Sequence, residues 1–397
     1  MSGGSELVFP TGIDVERYLA TYRWNSHQWY RVAGIAMASS PRELCGRYGL
    51  TYVETSELDI GRRRCGRGFA YLDPAGHVLR EKTAKKRIKS LAIPPAWTEV
   101  CIASDHKAHI QAVGRDAEGR LQYRYHPGWD SLRSDLKRHR LLKFGEALGQ
   151  VRSAVTAILR KPGLARKKVV AAVVRLMDRA SLRPGHEAYA RSDGGRGAAT
   201  LTNADIEVSG DTIRLDFQGK GGKEIRLKLK DTLLAPVLRQ LNKVGGRRLF
   251  KSPQDDRPVT AQEVNSFISE VSGADITAKD FRTFRASAKA LELLAEEKVR
   301  DGGLQKAMVR VADQVSAELV NTRSVARLSY IHPRVFEAYQ SGRLTGHLLK
   351  GRISRGLNRF ESALLRLLKP ASREWNSQHR SRFFLRQLHP RSKGSNP

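Results

Sequence analysis

Val320-Asn321-Thr322-Arg323-Ser324-Val325-Ala326-Arg327-Leu328-Ser329-Tyr330-Ile331-His332-Pro333-Arg334-Val335-Phe336-Glu337-Ala338-Tyr339 is the stretch around which the chain is organised. Tyr330 sits between a basic run of small residues and an Ile-His-Pro break, with Asn321 nine residues before it. A phenol becomes a nucleophile when neighbouring groups activate it. The chain holds 11 tyrosines, most of which must serve core or surface, so the case for Tyr330 depends on residues far upstream. His332 reads as structural, and no chemistry is assigned to His332-Pro333.

The 397 residues, 40% of them hydrophobic, suffice for two or three domains with their own cores. Lysine and arginine number 71 against 40 acids, a formal charge of +31. Such an excess attracts polyanions, and nucleic acid is the expected partner. A membrane surface would call for an isolated basic amphipathic helix, whereas this charge is spread along the chain. Cys45, Cys65 and Cys101 are odd in number, scattered and never spaced C-x-x-C. That argues against a disulfide framework or a zinc module and fits a reducing cytoplasm. Met1-Ser2-Gly3-Gly4-Ser5-Glu6 lacks the basic-then-apolar pattern of a signal peptide. No apolar run approaches the roughly 20 residues that span a bilayer. The expected location is the cytoplasm, in association with the nucleoid.

Residues 1–60 carry little periodic signal beyond a candidate helix within 13–37, and are read as an extension of unassigned role. From Gly61 the text becomes basic and glycine-rich, with Arg67 inside it, and residues 70–77 read as strand and turn. A short basic helix over 82–91 is stopped by Pro94-Pro95. Strands follow at 99–103 and 109–114, then Leu121-Gln122-Tyr123-Arg124-Tyr125-His126. The period of two puts Tyr123 and Tyr125 on one face and Gln122 and Arg124 on the other. That fits a half-buried strand, or a sheet face laid on DNA with Gln122 available to a base edge.

A long helix is expected over 130–159, and a helix apolar around most of its surface over 167–180, hence buried. Arg183 follows, where this helix meets a turn; its plainer role is to answer the helix dipole. Three strands are expected at 200–208, 212–218 and 224–229. The last two are joined by Gly219-Lys220-Gly221-Gly222-Lys223, either a flexible surface loop or a tip able to approach a phosphate backbone. It is not a Walker A loop, and no nucleotide cofactor is expected. Residues 231–315 read as helical throughout, with Arg282 near a helix start, where anions are favoured. Residues 343–397 hold 13 lysines and arginines against 2 acids. They read as a helix with a frayed end, adding sequence-independent DNA affinity.

Together, Arg183, Lys220, Arg282, Asn321 and Tyr330 resemble the active site of the type IB DNA topoisomerases, above all the small bacterial and poxvirus-like members. Leu182-Arg183-Pro184-Gly185-His186-Glu187 resembles the family's R-V-G-N-E motif, and Phe217-Gln218-Gly219-Lys220-Gly221-Gly222-Lys223 its F-R-G-K-S-G-K hairpin, 37 residues on. Lys279-Asp280-Phe281-Arg282-Thr283 matches K-D-F-R-T. Asn321-Thr322 with Ser329-Tyr330-Ile331-His332-Pro333 matches the run around the nucleophile. Ile93-Pro94-Pro95-Ala96-Trp97, Gly114-Arg115-Asp116 and Gln122–His126 resemble its DNA-clamping N-terminal domain. The resemblance covers roughly residues 61–340. Pro184, His186 and Phe284 depart from the family pattern, and Asn321 stands where many relatives place a histidine.

The resemblance implies an α+β, two-lobed DNA clamp that acts as a monomer, with double-stranded DNA as its partner. A β-rich N-terminal domain (61–135) faces a larger, mainly helical catalytic domain (136–342) with a three-stranded sheet and hairpin. It implies relaxation of positive and negative supercoils through a 3′-phosphotyrosyl intermediate at Tyr330, with no metal, cofactor or ATP. Two arginine forks suit the charge that develops on phosphorus, and Lys220 suits the general acid. Fixed donors, Asn321 among them, do this work without a metal. Gln122, Tyr123, Tyr125, Arg67, Lys223 and Lys279 are expected to contact DNA. A tyrosine recombinase shares this chemistry, but would carry His where Lys279 stands and His or Trp in place of Asn321. A non-enzymatic DNA-compacting protein accounts for the charge and not for four motifs in order.

Overall fold

The computed structural model describes residues 41–192, 194–297 and 303–369. The expected helix within 13–37 and the end of the basic tail lie outside them. Strands β1 (Ile60–Cys65), β2 (Gly68–Leu72), β3 (Thr98–Ile102), β4 (Ile110–Arg115) and β5 (Leu121–Tyr125) form one antiparallel sheet in the order β2-β1-β3-β4-β5. Strand β1 lies in the arginine-rich run that carried no strand signal. It forms because Ile60 and Gly61 pair with Ile102 and Cys101, leaving Arg63 and Arg64 on an exposed hairpin. Alternation along β4 sends Ala112 into a cluster with Ile60, Val100 and Ile102, and Val113 into one with Leu58, Ala103 and Ile110. Helix α1 (Pro41–Arg47) belongs to neither. Its Leu44 packs on Leu132 and Leu136, and Tyr48 just beyond donates to Asp135 at 2.6 Å. Helix α2 (Lys82–Ser90) covers the sheet with Ile88.

Helix α3 (Pro127–Leu159) has 33 residues and is about 50 Å long at 1.5 Å per residue. The expected boundary at 135/136 falls inside it. Its first turns join the small cluster with Leu44, while from Leu141 onward it belongs to the main core. Helices α4 (Arg166–Ala180) and α5 (Glu187–Ser192) follow, then strands β6 (Ile206–Ser209), β7 (Thr212–Gln218) and β8 (Glu224–Lys230), an antiparallel sheet in chain order. The strand expected from residue 200 begins only at Ile206. Asp205 accepts from the amide and hydroxyl of Thr202 and holds a turn there instead.

Helices α6 (Leu234–Val244), α7 (Ala261–Ser272), α8 (Ala278–Glu296) and α9 (Gly303–Glu318) complete the middle of the chain. Helix is not continuous over 231–315 as the sequence suggests. Gly245 and Gly246, both at positive φ, and Pro253 and Pro258 make residues 245–260 a loop that buries Leu249, Phe250 and Val259. Helices α10 (Pro333–Gln340) and α11 (Arg359–Leu368) end the described chain. The helix expected in the tail is α11, and it is part of the core: Ala363, Leu364, Leu365 and Leu368 are buried. A Cβ on Gly145 of α3 would lie 2.3 Å from Leu365 and 2.6 Å from Phe284, so glycine sets the close approach of α3, α8 and α11. Arg152 locks α3 to α4 and α11, holding Asp178 and Glu361 bidentately at 2.8–2.9 Å.

Candidate active site

Arg183 is fixed by the end of α4. Ser181 takes the left-handed conformation (φ 54°), which buries Leu182 and turns Arg183 inward. The following loop folds back: Ala198 and Ala199 donate to the carbonyls of Arg183 and Pro184 at 2.8 and 2.7 Å. Gly185 (φ +84°) lies against Gly197, and a Cβ on Gly197 would come within 2.7 Å of the Arg183 carbonyl. Only glycine allows that contact, so Arg183 stands on a pinned backbone. Its guanidinium donates to Asn321 Oδ1 at 2.9 Å.

Arg282 comes from the second turn of α8. Thr277 caps this helix, and Asp280 accepts from the Thr277 amide at 2.7 Å and from Arg140 at 2.7 Å. The aspartate of the K-D-F-R-T run therefore orients the helix rather than reacting. Arg282 is only 4% exposed. It donates to the carbonyl of Ser181 and, at 2.9 Å, to that of Leu319, and its Cζ lies 5.1 Å from the centre of the Tyr330 ring. Burial pushes its guanidinium down to about 10, despite the pull of the neighbouring Tyr330. Its Nε is buried without a partner among the described residues.

The Tyr330 stretch begins where α9 ends. Val320 is left-handed (φ 50°), an uncommon state for a β-branched residue. Asn321 then donates its amide to the Ser316 carbonyl at 2.9 Å. Asn321 Nδ2 is buried and unpaired, a donor facing no protein acceptor among the described residues. A cap from Thr322 starts a short turn, Arg323–Val325, which widens to a π turn over Ala326–Tyr330, closed by Ile331 N to Ala326 O at 2.9 Å. Such turns cluster at functional sites. Burial raises the Tyr330 phenol, but the charges of Arg282 and Arg183 and their hydrogen bonds to it outweigh that, so it sits below its ordinary value of 10. Arg183, Arg282, Asn321 and Tyr330, spread over 147 residues of sequence, thus converge.

Sequence reasoning missed the groups that hold the backbone around Tyr330. Ser287 donates to the Tyr330 carbonyl at 3.1 Å and accepts from the His332 amide at 3.0 Å. Lys137 donates to the Ile331 carbonyl at 3.2 Å. Burial, with Lys279 and then Arg133 close by, pushes the Lys137 ammonium down to about 8. His332 is fully buried; Nδ1 accepts from the Arg334 amide at 3.1 Å, so its proton is assigned to Nε2, which donates to Ser134 O at 3.3 Å. Burial, with Lys137 next, holds the ring neutral, down at about 3. His332-Pro333 is a helix cap with proline in the first turn, and His126-Pro127 does the same for α3. A repeated His-Pro was the available signal.

Lys220 is exposed at the β7–β8 tip, while Lys223 is half-buried and donates to the Val320 carbonyl at 3.4 Å. Tyr123 and Tyr125 share a face as the alternation requires, their rings 5.8 Å apart, and Tyr125 stacks on Trp129 at 5.9 Å with Arg133 above it. Gln122 donates to Asp116 at 2.8 Å. Arg67 is exposed in the β1–β2 turn and Lys279 at the start of α8. Phe284 is a core residue against Phe144, so that departure lies outside the reacting groups. Among the described residues no His, Cys, Asp and Glu group could hold a metal, and no helix is long and apolar enough to cross a membrane.

Residues 131–345 match the family model for the catalytic core of eukaryotic DNA topoisomerase I. The chain belongs to the type IB DNA topoisomerases. Residues 68–116 of the enzyme match the N-terminal domain of bacterial DNA topoisomerase IB. It is 29% identical over 307 residues to the DNA topoisomerase 1B of Acanthamoeba polyphaga mimivirus, covering 74% of this chain and 91% of that one. The recombinase alternative gives way to these matches, and DNA is the substrate the family implies.

A contact that relies on ammonium charge weakens as pH rises through about 8, where Lys137 loses its proton. Lys137→Met should slow single-turnover cleavage roughly 10- to 100-fold, the scale of a charged hydrogen bond worth about 1.5–3 kcal/mol. Lys137→Arg should keep most of the rate and hold it above pH 8, because arginine stays charged. A wild-type rate in the methionine variant would remove Lys137 from the site.

Proposed function

We propose that the enzyme relaxes positive and negative supercoils by transient cleavage of one DNA strand, with Tyr330 as nucleophile. The carrying observation is a phenol lowered by two arginines, beside a buried amide donor, Asn321 Nδ2, without a protein acceptor. A phosphodiester supplies the anion that Arg183 and Arg282 lack and the acceptor that Asn321 lacks. Tyr330 releases its phenol proton to solvent, and Oη bonds to phosphorus as the bond from phosphorus to the 5′-oxygen breaks. The arginines and Asn321 neutralise charge on the non-bridging oxygens. Lys220, on the hairpin tip, gives the 5′-oxygen its proton.

The product is a 3′-phosphotyrosine that keeps the bond energy, so religation by the reverse step needs no ATP. The cut end rotates about the intact strand between the two steps. Asn321 does not titrate, so the proton traffic rests on Tyr330 and Lys220. Residues Gln122, Tyr123, Tyr125, Arg67 and Lys279 are assigned to the DNA track, with the stacked Tyr123–Tyr125–Trp129 face as its platform. In this reading the enzyme closes on DNA as a monomer and works at the nucleoid in the cytoplasm.

Purified enzyme should relax plasmids of both superhelical signs in EDTA without ATP; a strict requirement for magnesium would contradict this mechanism. Tyr330→Phe should bind duplex DNA like the parent yet give no covalent adduct on a denaturing gel. An adduct in that variant would place the nucleophile elsewhere.

A further inference from the structure

Three consecutive residues at the end of α9 each receive a cation from a different element. Leu319 O takes Arg282 from α8, Asn321 Oδ1 takes Arg183 from the loop after α4, and Val320 O takes Lys223 from the β7–β8 hairpin. The first two are the arginines of the reaction. The third is a lysine three residues from Lys220, on the same tip.

The hairpin is built to be rigid at its base and loose at its end. Gln218 pairs with Glu224, and Gly219 donates to the Lys223 carbonyl at 2.7 Å. A Cβ on Gly219 would meet Ile225 at 2.5 Å, so the base is closely packed. Beyond it, Gly221 and Gly222 both take positive φ with open space around them, two positions whose backbone no side chain of their own restrains. Lys220 is exposed there, whereas Lys223 folds back and half-buries. The carbonyl it meets has a set direction, because Val320 is left-handed and the next amide is tied to Ser316.

We propose that Lys223 is a positioning residue for strand cleavage: by holding the Val320 carbonyl it seats the hairpin against the nucleophile's segment and brings Lys220 to the leaving 5′-oxygen. This replaces the expectation that Lys223 serves as a DNA contact, and it rests on the reading of Lys220 as general acid.

The test compares Lys223→Met, Lys223→Arg and Lys220→Ala in single-turnover cleavage of a suicide duplex. Each is run with an ordinary scissile phosphate and with a 5′-bridging phosphorothiolate, whose sulfur leaves without a proton. Lys223→Met should slow the ordinary substrate about tenfold, the rate equivalent of about 1.4 kcal/mol, and cut the thiolate substrate near the parent rate. Lys223→Arg should recover the ordinary rate, and DNA affinity should stay within about twofold. Hydrogen exchange at residues 219–223 should quicken in Lys223→Met. Equal slowing on both substrates, affinity lost in step with rate, or unchanged exchange would overturn the positioning role. Should Lys220→Ala go unrescued by sulfur while exchange still quickens in Lys223→Met, the general acid reading fails and the seating of the hairpin stands.

Discussion

The guanidinium of Arg282 joins the ends of two helices. It holds the carbonyls of Ser181 and Leu319, each just past a helix C-terminus, and lies over the ring of Tyr330. Both ends are irregular, with Ser181 and Val320 in a left-handed state that costs non-glycine residues about 1–3 kcal/mol each. Helix C-termini present unpaired carbonyls and partial negative charge, which a buried arginine satisfies without a carboxylate. An acid there would pair with the arginine and compete with the phosphate proposed to bind it. Carbonyls hold the side chain in place and leave its charge available.

That constraint accounts for the surrounding packing. Asp280 and Arg140 fix the start of α8, one turn before Arg282. Arg152 ties α3 to Asp178 near the end of α4 and to Glu361 of α11, and Arg285 donates to the Asp178 carbonyl at 3.2 Å. The tail helix is thus a structural support for the loop that presents Arg183. At the other end, Leu44 and Tyr48 pack on the first turns of α3, so part of the N-terminal extension rests on the helix that links the two clusters of strands and helices.

The clustered polar side chains were legible in the sequence because the motifs that carry them prescribe particular residue types in a fixed order. Arg183, Arg282, Asn321 and Tyr330 do meet, and the tyrosines of β5 do share a face. What stayed hidden was backbone. A left-handed valine, a π turn and a lysine donating to the Ile331 carbonyl leave no periodic trace, since carbonyl acceptors are the same for every residue. Strand β1 was obscured by arginines that suit an exposed hairpin, and the loop over 245–260 by an apolar content that buries without helix. His332 reads as structural in the sequence, and its Nδ1, accepting from the Arg334 amide, makes it the cap of α10.

The account turns on Arg282 favouring the ionised form of Tyr330. The direct measurement is the carbon-13 titration of tyrosine-labelled enzyme free of DNA, with Tyr330→Phe used to assign the resonance. In the parent the phenol should titrate below its ordinary value of 10. In Arg282→Gln, with folding checked by thermal melting, it should move upward as burial takes over. The same titration point in both forms would contradict the central claim.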